Sequence, residues 1–173
     1  MALNLPEIRT ERLVLRPPLA EDFDAWADFS ADEDVMRYIG GTQPRPAAWR
    51  TMAMHVGSWH LKGFGLFSVL EQKSGRWIGR AGPWQPDSWP EPEIGYSFAR
   101  SAWGQGYASE AASAALVWAF ETLQWTNAVH YIVPENLASI AVAKKIGSQF
   151  LAETSLPPPI SPKQIFLVYG QSR

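Results

Sequence analysis

The chain has 173 residues, 46% of them hydrophobic and 18% charged, with a formal net charge of -2 and no cysteine. That length and composition fit a single globular domain spanning residues 1–173, exclude disulfide and thiolate chemistry, and, with no dense basic cluster, argue against a nucleic-acid partner. No apolar run approaches the ~20 residues of a membrane span, and residues 1–12 carry no apolar leader segment, so a cytoplasmic protein without a membrane partner is expected.

The predicted elements follow in chain order. Thr10 to Arg16 alternates charge with Leu13 and Leu15 and stops at Pro17-Pro18, as a strand does. Residues 20–29 place Phe23, Trp26 and Ala27 on one helical face, with Glu21 and Asp22 in the first turn, where the helix dipole favours acids. A short helix is expected over 32–38, ended by Gly40-Gly41, and a third over 46–61 with Pro46 near its first position. Residues 64–71 and 77–81 form a hairpin turned by Ser74-Gly75. Residues 82–92, with four prolines and two tryptophans, read as a loop. A strand over 93–99, the longest helix over 105–123, a strand over 128–133 and a helix over 136–146 stopped by Gly147 come next. Strands over 150–154 and 165–169 close the chain, separated by a proline-rich stretch, 156–162. The order βααα-ββ-β-α-β-α-ββ predicts a mixed α/β (α+β) domain and not a regular βα repeat.

The most informative stretch joins the strand from Glu93 to the helix from Tyr107: Ser101-Ala102-Trp103-Gly104-Gln105-Gly106-Tyr107-Ala108-Ser109. Main-chain N–H groups at such a junction have no partner in either element, and with the helix dipole they make an anion site suited to a phosphate. A tight turn that merely needs glycine is the plain alternative. Gly104-x-Gly106-x-x-Ser109 nearly matches a dinucleotide fingerprint, but it follows a hairpin late in the chain, and no acidic residue ends the next strand at the required distance. It is not a P-loop, because no Gly-Lys-Ser/Thr follows. One strand later, Asn136-Leu137-Ala138-Ser139 opens a helix. Asn136 suits an N-cap and Ser139 an ordinary first-turn serine.

Taken together, the two motifs resemble the GNAT N-acetyltransferase superfamily, in particular its ribosomal-protein N-terminal acetyltransferase (RimJ/RimL-like) branch. Leu13-x-Leu15-Arg16, Glu93-Ile94-Gly95-Tyr96, Trp103-Gly104-Gln105-Gly106-Tyr107-Ala108 and the late Asn136–Ser139 and Lys145-Ile146-Gly147 segments carry the resemblance over nearly the whole chain. It implies a three-layer fold, a mostly antiparallel sheet splayed between two central strands with helices on both faces. It also implies acetyl-CoA as co-substrate, an amine acceptor, no metal, and a monomer or homodimer.

The resemblance further implies which residues act. Main chain from Trp103, Gly104, Gln105, Gly106, Tyr107, Ala108 and Ser109 would hold the pyrophosphate. The pantetheine arm would pair with the strand at Phe98 and Ala99, a free strand N–H near Phe98 facing the thioester oxygen. Asn136 would bind the pantetheine amides and Ser139 would lie near the sulfur. Many members carry a tyrosine acid in the last helix; counting from Asn136, that position is Ala143, which leaves Ser139 as replacement. Glu93 is the candidate base, acting through water, with an exposed strand-end carboxylate as the alternative. Tyr96 lines the acceptor site or packs in the core; Glu110 serves the helix dipole. His55, His60 and His130 lack metal-ligand spacing, and His130 reads as structural or surface. The acceptor would enter past the first helices and the loops at 82–92 and 156–163, near Trp26, Tyr38, Trp84 and Trp89, with Asp32, Glu33 and Asp34 available to attract an amine. The acceptor is a protein N-terminal α-amine or, alternatively, a small amine such as an amino acid, polyamine or aminoglycoside. A non-catalytic acyl-CoA-binding domain is the third reading.

Overall fold

Alternating apolar residues build one twisted sheet with a helical layer on each face. The computed structural model describes residues 6–157 and 163–173. Its strands are β1 Ile8–Arg9, β2 Leu13–Arg16, β3 Phe67–Glu71, β4 Trp77–Trp84, β5 Glu93–Phe98, β6 Asn127–Ile132, β7 Gln149–Ser155 and β8 Ile165–Ser172. The helices are α1 Phe23–Ala31, α2 Glu33–Met36, α3 Arg45–Lys62, α4 Tyr107–Thr122 and α5 Leu137–Lys145. The eight strands run in the order β1-β2-β3-β4-β5-β6-β8-β7. Every pairing is antiparallel except β5 with β6.

On one face Leu13, Leu15, Phe67, Val69 and Ile94 pack with Ala111, Ala112 and Ala115 of α4. Small residues at these α4 positions let the helix lie close to the strands, so a mostly alanine face is what this contact requires. On the other face Trp26 and Phe29 of α1, Val35 and Met36 of α2 and Met52 of α3 pack around Trp77. The predicted mixed α/β class and the two-faced layering are present, and the predicted elements follow in their order with one strand added at the start.

Two differences from the sequence reading bear on the centre of the sheet and its edge. The first strand is preceded by β1, and Thr10 to Arg12 form the turn between them, with Thr10 N–H donating to the Leu13 carbonyl at 3.0 Å. Residues 82–84 are not loop but the end of β4, because β5 supplies partners for them: Gly82 with Gly95, Pro83 with Ile94, Trp84 with Glu93. Pro83 is tolerated because β3 ends opposite Ala81, so a missing N–H on that side breaks no ladder bond. The 156–163 loop, expected to wall the acceptor side, falls largely at 158–162, outside the described residues.

Candidate active site

At the centre of the sheet, strand-to-strand hydrogen bonding gives way to side chains. β5 and β6 share a single register pair, Glu93 with Val129, beside a 2.9 Å bond from Val129 N–H to the Pro92 carbonyl. Immediately beyond it, Glu93 Oε1 accepts the Tyr131 N–H at 3.4 Å and His130 Nδ1 donates to the Ile94 carbonyl at 2.7 Å. These two side chains occupy main-chain partners that a continuing ladder would have joined. Ala99 N–H donates to Ile78 on the β4 side, so by strand alternation the main chain of residues 94, 96 and 98 faces β6. The Phe98 carbonyl is taken by Trp103 Nε1 at 2.8 Å. Among the described residues the Phe98 N–H has no partner.

A cleft of about 670 Å³ opens from this split. β5 contributes Tyr96, Ser97 and Phe98; the junction contributes Trp103, Gly104, Gly106, Tyr107, Ala108 and Ser109; α5 contributes Asn136 and Ser139; and Asp34, Arg37 and Tyr38 close the outer side. The cleft thus brings together most of the residues singled out in the sequence. Ala99 and Glu93 are not among its lining residues: the Ala99 N–H is spent on Ile78, and Glu93, the expected base, stands at the start of β5 with its carboxylate on the Tyr131 N–H. Gln105 lies in a neighbouring hollow with Arg12, Ser109 and Lys145.

Gly104 and Gly106 have φ of 73° and 79°, the left-handed region that glycine enters without steric cost. This geometry starts α4 abruptly and leaves the N–H groups of residues 107–109 aimed outward. The loop is braced from below: Arg12 Nη1 donates to the Gln105 carbonyl at 2.9 Å. Arg12 Nε donates to Glu110 Oε2 at 2.7 Å, and Glu110 Oε1 accepts from Thr10 Oγ1 at 2.6 Å. Glu110 therefore ties the loop to the β1–β2 turn, besides sitting where the helix dipole favours it. The Arg12 anchor had no signal in the sequence.

Glu93 points away from α4, and burial raises its pKa to about 7; the Tyr131 N–H and the nearby Trp89 indole oppose that shift. Trp89 Nε1 makes no hydrogen bond of good geometry, so its influence on the carboxylate is the weaker of the two. Tyr96 OH donates to the Ser139 carbonyl at 2.9 Å and receives a bond from Ser139 Oγ at 3.2 Å. Burial raises the Tyr96 pKa, and the Glu93 charge adds to the rise. Asn136 caps α5, its Oδ1 accepting Ser139 N–H at 3.1 Å, which leaves its amide NH2 free of partners among the described residues. Ala143 is fully buried against Ile132 and Tyr169 and does not face the cleft.

The other candidates have structural places. His130 is buried, not on the surface, and its Nε2 meets Ser148 Oγ at 3.0 Å. Desolvation lowers its pKa to about 4. Trp26 belongs to the core under α1, and Trp89 stands edge-on to Tyr131 at 5.9 Å. Asp32 caps α2 and binds Arg100 at 2.7 Å, which lowers its pKa. Among the described residues no cluster of His, Asp or Glu could hold a metal ion, and no helix is long and apolar enough to cross a membrane.

Residues 12–149 match the acetyltransferase (GNAT) domain family. A crystal structure of an acetyltransferase from Agrobacterium tumefaciens is 35% identical, covers 100% of this chain and 98% of its own, and superposes with a TM-score of 0.85. The uncharacterised protein YkkB of Bacillus subtilis is 35% identical over 146 residues, 82% of this chain and 84% of that protein. The fold is also that of RimL, a ribosomal alpha-N-protein acetyltransferase solved in complex with coenzyme A, at 15% identity and a TM-score of 0.79 over 96% of this chain and 98% of that one. The chain belongs to the GNAT acetyltransferase family and is an acyltransferase. RimL is a structural neighbour from the branch that the motifs resemble.

Proposed function

We propose that the protein transfers acetyl from acetyl-CoA to a primary amine in the split between β5 and β6, in the cytoplasm. The observation that carries this reading is the pairing of β5 and β6 at one residue only, with the split running to the α4 N-terminus. An extended, amide-bearing chain fits such a gap as a missing strand does, and a pyrophosphate fits the free N–H groups at residues 107–109. The neighbouring hollow holds the Arg12–Glu110 pair and Lys145, and the Lys145 charge suits further phosphate.

The thioester supplies an activated acyl group, so the protein need only align, deprotonate and stabilise. The Phe98 N–H would polarise the acyl oxygen. Glu93, near neutrality and on the sheet face opposite α4, would take the amine proton through water. The Asn136 amide would hold the pantetheine. Ser139 and Tyr96, linked by their hydroxyls, would meet the departing thiolate from the α5 side. Tyr96 thus offers a phenol from a strand where many family members use one from the last helix, at the place of Ala143. A protein N-terminal α-amine is the acceptor the resemblance implies, and a small amine is the alternative.

Mass spectrometry after incubation with acetyl-CoA and a panel of N-terminal peptides and small amines tests the reading. Acetylation of any member supports it, the member identifies the acceptor, and no product with any amine removes it. Calorimetry with CoA on Gly106→Trp tests the phosphate assignment. Binding is expected to vanish, and unchanged affinity refutes the assignment.

A further inference from the structure

Beside the cleft stands a charged residue with no counter-charge among the described residues. Arg80 of β4 stands opposite Ser97 of β5, on the sheet face away from α4. Its Nε donates to Ser97 Oγ at 3.1 Å and its Nη1 to His55 Nε2 at 3.2 Å. These are the only acceptors found for a group with five N–H donors, and no carboxylate pairs with it among the described residues. The guanidinium lies over Trp26 at 4.9 Å and Phe29 at 5.3 Å. Aromatic faces offset only part of the cost of enclosing an unpaired cation.

Its neighbours show the same imbalance. His55 is 3% exposed and Trp26 fully buried, and their rings lie 5.5 Å apart. His55 accepts from Arg80 at Nε2, so its proton is on Nδ1, and Nδ1 has no partner; neither has Trp26 Nε1. Enclosure holds His55 neutral, because desolvation and the Arg80 charge both lower its pKa. The cluster therefore has donors in excess and no acceptor to match them. Arg80 keeps partial exposure but does not itself line the cleft; it lies behind Ser97, whose Oγ it binds and which does line it.

We propose that Ser97 at the floor of the cleft and Arg80 directly behind it form an anion subsite, which anchors a carboxylate carried by the acceptor amine. The subsite rests on the reading of the cleft as the acetyl-transfer site. Ser97 adjoins Phe98, whose N–H faces the split, so an anion held here lies beside the reacting carbon. The carboxylate must then sit a few bonds from the amine, as in a free amino acid or an acidic residue at a peptide N-terminus. Guanidinium and carboxylate are matched in planar geometry, and Arg makes that pair in enclosed sites where Lys does not.

Two measurements test this, one of them independent of turnover. In the first, glycine, aspartate and an aspartate-initiated peptide are assayed against glycinamide, asparagine and the asparagine-initiated peptide. A KM at least tenfold lower for the acid member of a pair is expected, the pair identifies the source, and Arg80→Met should erase the ratio. Equal KM within every pair overturns the subsite. In the second, acetate is titrated into the isotope-labelled protein without acetyl-CoA, with the Trp26 indole N–H resonance assigned from its loss in Trp26→Phe. A saturable shift with acetate and none with acetamide is expected; no shift, or the same shift with both, makes Arg80 a purely structural cation. If Arg80→Met fails to fold, the wild-type acid-against-amide comparisons still decide. If no amine is acetylated, the transfer reading fails, while the acetate titration still settles the subsite.

Discussion

Glu93 does two jobs with one carboxylate. It takes the Tyr131 N–H where the strands part, and burial holds its pKa at about 7. As base it acts only when ionised, so kcat/KM should rise with pH through about 7. Glu93→Gln should lower turnover by ~10²–10⁴-fold and remove that limb, with acetyl-CoA affinity little changed. The same shift has a stability sign. A pKa raised by folding contributes stability below the ordinary value of 4.5 that is lost as pH rises through about 7. Glu93→Gln should accordingly gain on the wild type in urea unfolding at pH 8 and lose that advantage by pH 4. A Glu93→Gln variant with normal turnover removes Glu93 as base.

At the scale of elements, the start of α4 depends on β1 and β2. A helix N-terminus binds an anion well only if its loop is held, since loop ordering otherwise costs binding energy. Arg12 and Glu110 provide that hold, through Gln105, Thr10 and the Arg12 main chain. Glu110→Ala should weaken CoA binding by roughly 3–30-fold, the equivalent of about one lost hydrogen bond, while the pH profile of kcat stays in place. Calorimetry with CoA on this variant measures it, and wild-type affinity would reduce Glu110 to a helix-dipole charge. The sequence placed Glu110 in the first turn of a helix, but its bond to Thr10 spans 100 residues and left no local trace.

The whole molecule consists of two half-sheets, β1–β5 and β6–β8, joined at one register pair and by a few side chains. His130 is one of them, donating to Ile94 and meeting Ser148. Its pKa falls from an ordinary 6.5 to about 4, so its contribution is full above pH 6.5 and is lost as pH falls toward 4. In a Glu93→Gln background, which removes the opposing carboxylate, urea stability should drop across that window. His130→Asn should lose ~1–3 kcal/mol at neutral pH by leaving buried groups unpaired and should flatten the acid limb. A limb that persists in His130→Asn assigns it to another group.

Local codes were legible in the sequence. Alternation marked the strands, glycines at 104 and 106 marked the abrupt helix start, and Asn136 marked a cap; each depends on neighbours a few residues away. By themselves they determined the element order, the mixed α/β class and the family resemblance. Tertiary structure decided the rest. The split is an absence of hydrogen bonds between two strands, so it was legible only through the family resemblance, and the packing fixes where it opens, just past Glu93 and Val129. Tyr96 meets Ser139 across 43 residues, which turned a tyrosine with two open readings into part of the cleft. One arginine in a strand says nothing about its counter-charge, so Arg80 has no local signal. Enclosure by Trp26, Phe29 and His55 and the lack of a carboxylate partner among the described residues, both properties of the folded packing, single it out.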